Sequence, residues 1–341
     1  MTVLTVGTQN EFGLEASYRR GLETVGIQVR SFDIYAAERR HVRIGKLGAL
    51  MHRFMPVDSW RRKANRELAM TVVAERPDLV LVFCNSPILF STLAFVRSLT
   101  SVPFVLIWPD PLLLMEPHVQ QAAPFYDGVA TYSNATVPVF KQMGFRNVQW
   151  LPFGADLPMH HLPEPATQFS NDIGFIGAWR PEREQALAVV AREFRSRRIA
   201  IWGTSWNRCE QPAVRKLAYK RPLRGKAYAE AFNQTRINLN VIDEGCMPAA
   251  NMRFFEIPIA HGLQVASSCP EFSADYVHQQ QLLYYANQDE LITTIEWALT
   301  YPERAAELRR EAYAHTLAQH TYAHRAQQLI RLFLPALALP H

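Results

Sequence analysis

The sequence predicts an α/β chain built as two doubly wound domains, and three observations carry that expectation. Short apolar runs alternate with helical stretches through residue 153. A Pro-rich, polar stretch without periodicity, "GADLPMHHLPEPATQFSN" (154–171), then interrupts the alternation. The alternation resumes from residue 172. Strands spaced by helices are βαβ units, and βαβ units build parallel sheets.

In the first half, "TVLTV" (2–6) is a β-branched strand, and "GTQNEFG" leads into a helix from about Leu14 to Val25. "IQVRSFD" (27–33) alternates like a second strand, and a helix around Trp60–Glu75 ends before Pro77. "DLVLVFC" (78–84) is a continuous apolar strand of the kind buried on both faces of a parallel sheet. "ILFSTLAFVRSL" (helix), "PFVLIW" (strand), "GVATYS" (strand), "ATVPVFKQMG" (helix) and "NVQWLPF" (strand) complete this half. Residues 154–171 read as a linker. Beyond it come "DIGFIG" (strand) and "PEREQALAVVAREF" (helix), with Pro181 in the first turn, where its missing N–H costs nothing. "RIAIWG", "INLNVI", "LQVASS" and "LLYYA" are strands; "GKAYAEAFNQ" and "DELITTIEWAL" are helices. Helices at about 302–318 and 321–333 end the chain.

A chain of 341 residues suits two domains, and 48% hydrophobic with 20% charged residues supplies their cores. No apolar run is long enough to cross a membrane, and the start lacks the pattern of a signal peptide. Cys84, Cys209, Cys246 and Cys269 show no metal-type spacing, which points to a reduced, cytoplasmic protein. The formal net charge is +5, without the basic stripe of a nucleic-acid binder. Its clearest basic cluster is Arg39 to Arg66. The plainer reading is a solvated loop and helix face; the sharper one is a weak contact with the inner face of a membrane, or with an anionic acceptor.

In doubly wound sheets ligands bind outside the carboxyl ends of the strands, so the loops that follow strands are the candidates. "FIGAWRPERE" places Arg180 and Arg183 at a helix start, where phosphate is favoured; both can equally be surface charges. Gly203, in "IWGTSWN", lets backbone approach a flat ligand, or is a turn glycine beside packed indoles. "NLNVIDEGCMPAANMRFFE" brings Asn240, Asn251, Arg253 and Glu256 to one place. If Asn251 caps the helix, Arg253 and Glu256 face the same way and can form a simple ion pair. Set in an apolar helix at a strand end, Glu256 can instead accept two vicinal hydroxyls. Pro258 inside this helix implies a kink or a late start. In the first half the loops offer Asn10 and Glu11, Asn85, and Asp110. Asp110, between two prolines, is a general base, a sugar-hydroxyl ligand or an ordinary turn aspartate. His315, His320 and His324 lack an acidic partner pattern and read as structural or surface residues. There is no G-x-G-x-x-G after the first strand, no Walker A sequence and no G-x-S-x-G elbow.

"NMRFFEIPIAHGLQVASSCPEF" resembles the R-x-F-E segment of GT-B glycosyltransferases, in particular those similar to the CgeB spore-maturation type within the group-1 class. "WLPFGAD", "DIGFIGAWRPERE" and the tail, with its "PER" helix and "HTY-x-x-R", resemble the same family in order and spacing. "WPDP" resembles it more loosely. The resemblance implies two Rossmann-like domains facing across a cleft: 1–153 on the acceptor side, 172–318 for the nucleotide sugar, and a helix at 319–341 packing back toward the first. It implies sugar transfer from a nucleotide diphosphate sugar to a glycan, protein or lipid-linked acceptor, with no cofactor and no metal. Asp110, Arg183 and Arg253 would be catalytic. Arg180, Gly203, Asn240, Asn251 and Glu256 would hold the donor, with Asn10, Glu11 and Asn85 on the acceptor side. Pro248 stands where related retaining enzymes carry a second glutamate, so stereochemistry stays open. The alternatives are a nucleotide-sugar epimerase of the same architecture and a non-catalytic nucleotide- or glycan-binding scaffold.

Overall fold

The computed structural model describes residues 1–42, 45, 48, 50, 51, 58–219 and 222–334. The chain divides into two compact units, Met1–Pro152 together with the chain from Arg325 on, and Phe153–His324.

The N-terminal unit runs β1 (Thr2–Gly7), α1 (Leu14–Thr24), β2 (Gln28–Asp33), α2 (Ile34–His41), α3 (Asp58–Glu75), β3 (Leu79–Phe83), α4 (Phe90–Leu99), β4 (Phe104–Trp108), α5 (Pro117–Gln121), β5 (Gly128–Thr131), α6 (Val137–Gln142) and β6 (Val148–Trp150). Its strands are all parallel, in the order β2-β1-β3-β4-β5-β6. Every residue of β3 and β4 is buried, as their unbroken apolar runs require. β2 at the sheet edge keeps its polar residues outward. Val80, Val82, Leu106 and Trp108 pack with Phe140 of α6 in the core. Of the basic segment 39–66, residues 43, 44, 46, 47, 49 and 52–57 lie outside the described residues. Among the rest, Arg40 and His41 both pair with Glu67, and Arg61 pairs with Glu38 at 3.2 Å.

The C-terminal unit runs α7 (Leu157–His160), β7 (Asn171–Ile176), α8 (Pro181–Glu193), β8 (Ile199–Trp202), α9 (Pro212–Leu217), β9 (Ala218–Tyr219), α10 (Lys226–Asn233), β10 (Thr235–Asn240), α11 (Arg253–Ile259), β11 (Gln264–Ser267), β12 (Leu283–Tyr285), α12 (Gln288–Thr300) and α13 (Pro302–Gln319). Its parallel strands follow the order β12-β11-β10-β7-β8-β9. The order reverses direction between β7 and β10, which makes that point the crevice of the sheet. The last helix, α14 (Tyr322–Phe333), begins in this unit and groups with the N-terminal one from Arg325. There Phe333 lies on β5 so closely that any side chain at Gly128 would overlap its ring.

The stretch 154–171 differs from the linker expected. It packs into the C-terminal unit, because neighbouring side chains satisfy its backbone. Asn233 accepts from the Ala166 N–H at 2.7 Å and donates to the Glu164 carbonyl at 3.0 Å. The His261 ring bonds the Leu162 carbonyl at 2.8 Å. Of the two final helices, α13 stays within the C-terminal unit and only α14 returns.

Candidate functional site

The loops leaving β7 and β10 part at the switch point, and each leads into a helix that carries an arginine. After β7, Gly177 to Arg180 turns into α8, whose first turn holds Arg183. Arg183 is 5% exposed. It donates to the Ala178 carbonyl at 2.7 Å, meets Asp243 at 2.9 Å and lies over the Phe175 ring. Burial, and then the charge of Arg253, bring its guanidinium down to about 10, while Asp243 opposes them; Arg180 adds to the lowering. Arg253 and Arg180 thus both press on Arg183, and Asp243 is the carboxylate that meets it directly. The Nε of Arg183 and the Nε of Arg253 are buried without a hydrogen-bond partner. Arg180, the residue before α8, is exposed.

Glu256 sits on α11 and is 5% exposed. One carboxylate oxygen accepts the Tyr228 hydroxyl at 2.6 Å. The other faces His160 Nδ1 at 4.0 Å, and the His160 ring packs on Tyr228. Burial, and then the Glu256 charge, push the Tyr228 phenol far above its usual range, so it remains a donor. The Arg253–Glu256 ion pair, the simpler alternative for these two residues, is not made: Glu256 takes Tyr228 instead. Helix α11 starts late, at Arg253, and ends one residue after Pro258, so the proline removes only one late helical bond.

Asn251 accepts from the Phe254 N–H at 3.2 Å and so acts as the cap foreseen. Asn240 is fully buried, with its amide donating to Gln264 and its carbonyl oxygen taking the Asn251 amide at 2.8 Å. Both asparagines therefore tie the β10 loop to α11; Asn240 presents no surface to a ligand, against the expectation. Gly203 has φ +151°, and a side chain there would overlap the Gly177 carbonyl. The Trp206 indole donates to that same carbonyl at 3.0 Å, which makes Trp206 a packed residue and Gly203 the close-approach glycine of the β7 loop. Glu184 holds the next loop in place. It accepts from the Trp179 indole (2.5 Å) and from the backbone N–H groups of Glu210 (2.8 Å) and Gln211 (2.9 Å).

The remaining candidates belong to the N-terminal unit. Asp110 accepts the Cys84 thiol at 3.0 Å. Burial, then this bond, push that thiol up to about 12. Asn85 spends its amide on the Leu114 carbonyl and its oxygen on the Glu116 N–H, so it organises a turn rather than offering free polar atoms. Asn10 and Glu11, with Thr8, Gln9, Glu15 and Arg19, line a cavity of about 320 Å³ beyond the end of β1. Asn10 accepts from the Phe12 N–H within that loop. The structure therefore gathers Arg180, Arg183, Arg253 and Glu256, and sets Asp110, Asn10, Glu11 and Asn85 in the other unit. Sequence reading missed Tyr228, Asp243 and His160. Asp243, directly after a strand, carried a usable positional signal; Tyr228 and His160 carried none.

Residues 180–331 match the family model described as "Glycosyl transferase-like". No curated protein matches the sequence. Solved structures do match over nearly the whole chain. A glycosyltransferase from Rickettsia africae is 11% identical over 99% of both chains, with a TM-score of 0.66. Sucrose-phosphate synthase from Thermosynechococcus elongatus is 11% identical over 99% of both, at 0.66. HepE from Anabaena, solved in complex with UDP-glucose, is 14% identical over 99% of this chain and 100% of its own, at 0.62. At these identities the matches show the fold, which is GT-B with two Rossmann-like domains. The chain thus has the GT-B fold, and its residues 180–331 are similar to the glycosyl transferase-like family.

Proposed function

We propose that the chain moves a sugar from a nucleotide diphosphate sugar to an acceptor, with the donor held in the C-terminal unit at the β7–β10 switch point. The observation that carries this is the pair of buried, unpartnered Nε groups of Arg183 and Arg253, on two helices that start at one crevice. Guanidinium groups match phosphate oxygens two bonds at a time. Preorganised cations of this kind stabilise a diphosphate as it leaves. Arg180 adds exposed positive charge beside them, and no metal is needed in this reading. Glu256 offers the oxygen facing His160 to the ribose hydroxyls, while Tyr228 fixes the other. Gly203 keeps the β7 loop close, where the base lies. Asp110 serves the acceptor side as base or hydroxyl ligand, and Asn10 and Glu11 also belong to that side.

The finer kinship with the CgeB type belongs to this proposal, supported by the ordered "WRPERE", "RFFE" and "HTY-x-x-R" segments. We place the reaction in the cytoplasm, in keeping with four cysteines that form no disulfide. Among the described residues no helix is long and apolar enough to cross a membrane. Contact with a membrane face would fall to the basic segment 39–66.

A thermal-shift panel of UDP, GDP, TDP and CMP with their sugars tests the reading. A ligand at 100 times its dissociation constant adds about 2.7 kcal/mol of stability. One nucleotide series should raise the melting temperature, with HepE's complex making the uridine series the first to try. No shift with any member, and no nucleotide release from any donor, would reject it.

A further inference from the structure

In the sequence His315 and His320 carry no acidic partner pattern; the fold brings an acid to both. Asp275, in the turn after β11, reaches both rings at the end of α13. Its Oδ1 lies 3.0 Å from His315 Nε2, and its Oδ2 lies 2.8 Å from His320 Nε2. The two Nε2 atoms are 3.3 Å apart. This is the one group of three potential metal ligands among the described residues. We propose that Asp275, His315 and His320 bind a single divalent cation of the zinc type.

The spacing suits that chemistry. Ligands about 2.0–2.1 Å from one ion stand about 2.9 Å apart at a right angle and about 3.4 Å apart in a tetrahedron. The two Nε2 atoms stand within that interval, and each lies in or next to it from one of the two Asp275 oxygens, an arrangement that suits a carboxylate taking the ion between both rings. Two imidazoles and a carboxylate are the donor set of three-ligand zinc sites, which leave a fourth position to water. The rings are also held before any ion arrives. Tyr276 packs against His315 and His320 with centroids at 4.8 and 5.1 Å, and its hydroxyl bonds Thr316 at 2.8 Å. Phe255 and Phe272 lie against His320 at 5.6 and 6.1 Å. The three residues grade from exposed Asp275 through half-buried His315 to buried His320, which gives an ion a route in from solvent.

The position gives the ion a job. His320 accepts the Ala155 N–H through its carbonyl, and Tyr322 donates to the Ala155 carbonyl. The chain changes units a few residues beyond each of these, or just before. Phe255 precedes Glu256 on α11. A bound ion would pin the Asp275 turn to the end of α13 beneath α11, stiffening the C-terminal unit next to both chain crossings. This role is independent of the donor chemistry proposed above.

The test uses the full chain, stripped with a chelator and titrated with Zn²⁺ in a calorimeter. One equivalent should bind, and the melting temperature should rise. Asp275→Asn and His315→Ala are the variants of choice because both side chains reach solvent; each should weaken binding by more than about tenfold and abolish the thermal shift. His118→Ala, in the other unit, should bind as the wild type does. Co²⁺ should give d–d absorption without the intense near-ultraviolet band of a thiolate ligand. Absence of stoichiometric Zn²⁺ binding, unchanged affinity in both variants, or a thiolate band would overturn the proposal, leaving a carboxylate that accepts from two histidines.

Discussion

At Arg183 the guanidinium gives one N–H to the Ala178 carbonyl and meets Asp243 with another, yet its Nε has no partner. Burying a cation so incompletely is costly unless something bound completes its shell. A diphosphate would do so. Arg183→Ala should therefore lower kcat by about 10²–10³, the size seen when one preorganised oxyanion donor is removed. Arg183→Lys should recover only part of it, because a point charge lacks the planar fork. Steady-state nucleotide release measures both. Glu256 shows where residue-level reading stops. Its burial and its separateness from Arg253 follow from contacts with Tyr228 and His160, residues 28 and 96 positions away in sequence. No spacing rule reaches that far. Asn251 was legible because capping is local. Asn240 was misread because strand-end position does not reveal that both ends of its amide are already used.

At the scale of elements, the loops after β7 and β8 depend on each other through Gly203 and Glu184. Gly203→Ala should cost on the order of 3 kcal/mol or more, since a left-handed backbone and an overlap with Gly177 coincide. Thermal unfolding should show the loss, while the same change at solvent-open Gly144 costs less. Glu184 sets a pH dependence. Burial pushes its carboxyl up, but the Trp179 indole and two backbone N–H groups outweigh this and hold it below the usual range. A depressed folded value adds stability above the unfolded value of about 4.3 that disappears as pH falls through the folded one. Wild type should therefore exceed Glu184→Gln in urea midpoint at pH 7, and the gap should close in acid below about pH 4. Most strands were legible because parallel strands are apolar throughout. The two-residue β9 was not, being too short for any period. Nor was the packing of 154–171: proline and polar composition hid backbone groups answered by Asn233 and His261.

At the scale of the molecule, two alternations separated by a break were enough to foresee two doubly wound sheets, because the connection rules leave few other arrangements. The order of strands was not written in the pattern. It differs between the units, and it is the order in the C-terminal sheet that opens a crevice between β7 and β10. The sequence placed a returning helix at 319–341, and α14 groups with the N-terminal unit from Arg325. The Asp275–His315–His320 group was out of reach, since its acid lies 40 residues before the first histidine. The central claim is that the C-terminal crevice binds the nucleotide of a sugar donor through Glu256 and its arginines. The most direct test is a calorimetric titration of wild type and Glu256→Gln with the nucleoside diphosphate that raises the melting temperature. Glutamine can still accept from Tyr228, so the fold should hold and the melting temperature should stay within about 2 °C, a fraction of a kcal/mol for a unit of this size. The wild type should bind one equivalent, and Glu256→Gln should bind at least about tenfold more weakly, as expected when charge-assisted hydrogen bonds are lost. Equal affinity in a folded Glu256→Gln variant would contradict the account.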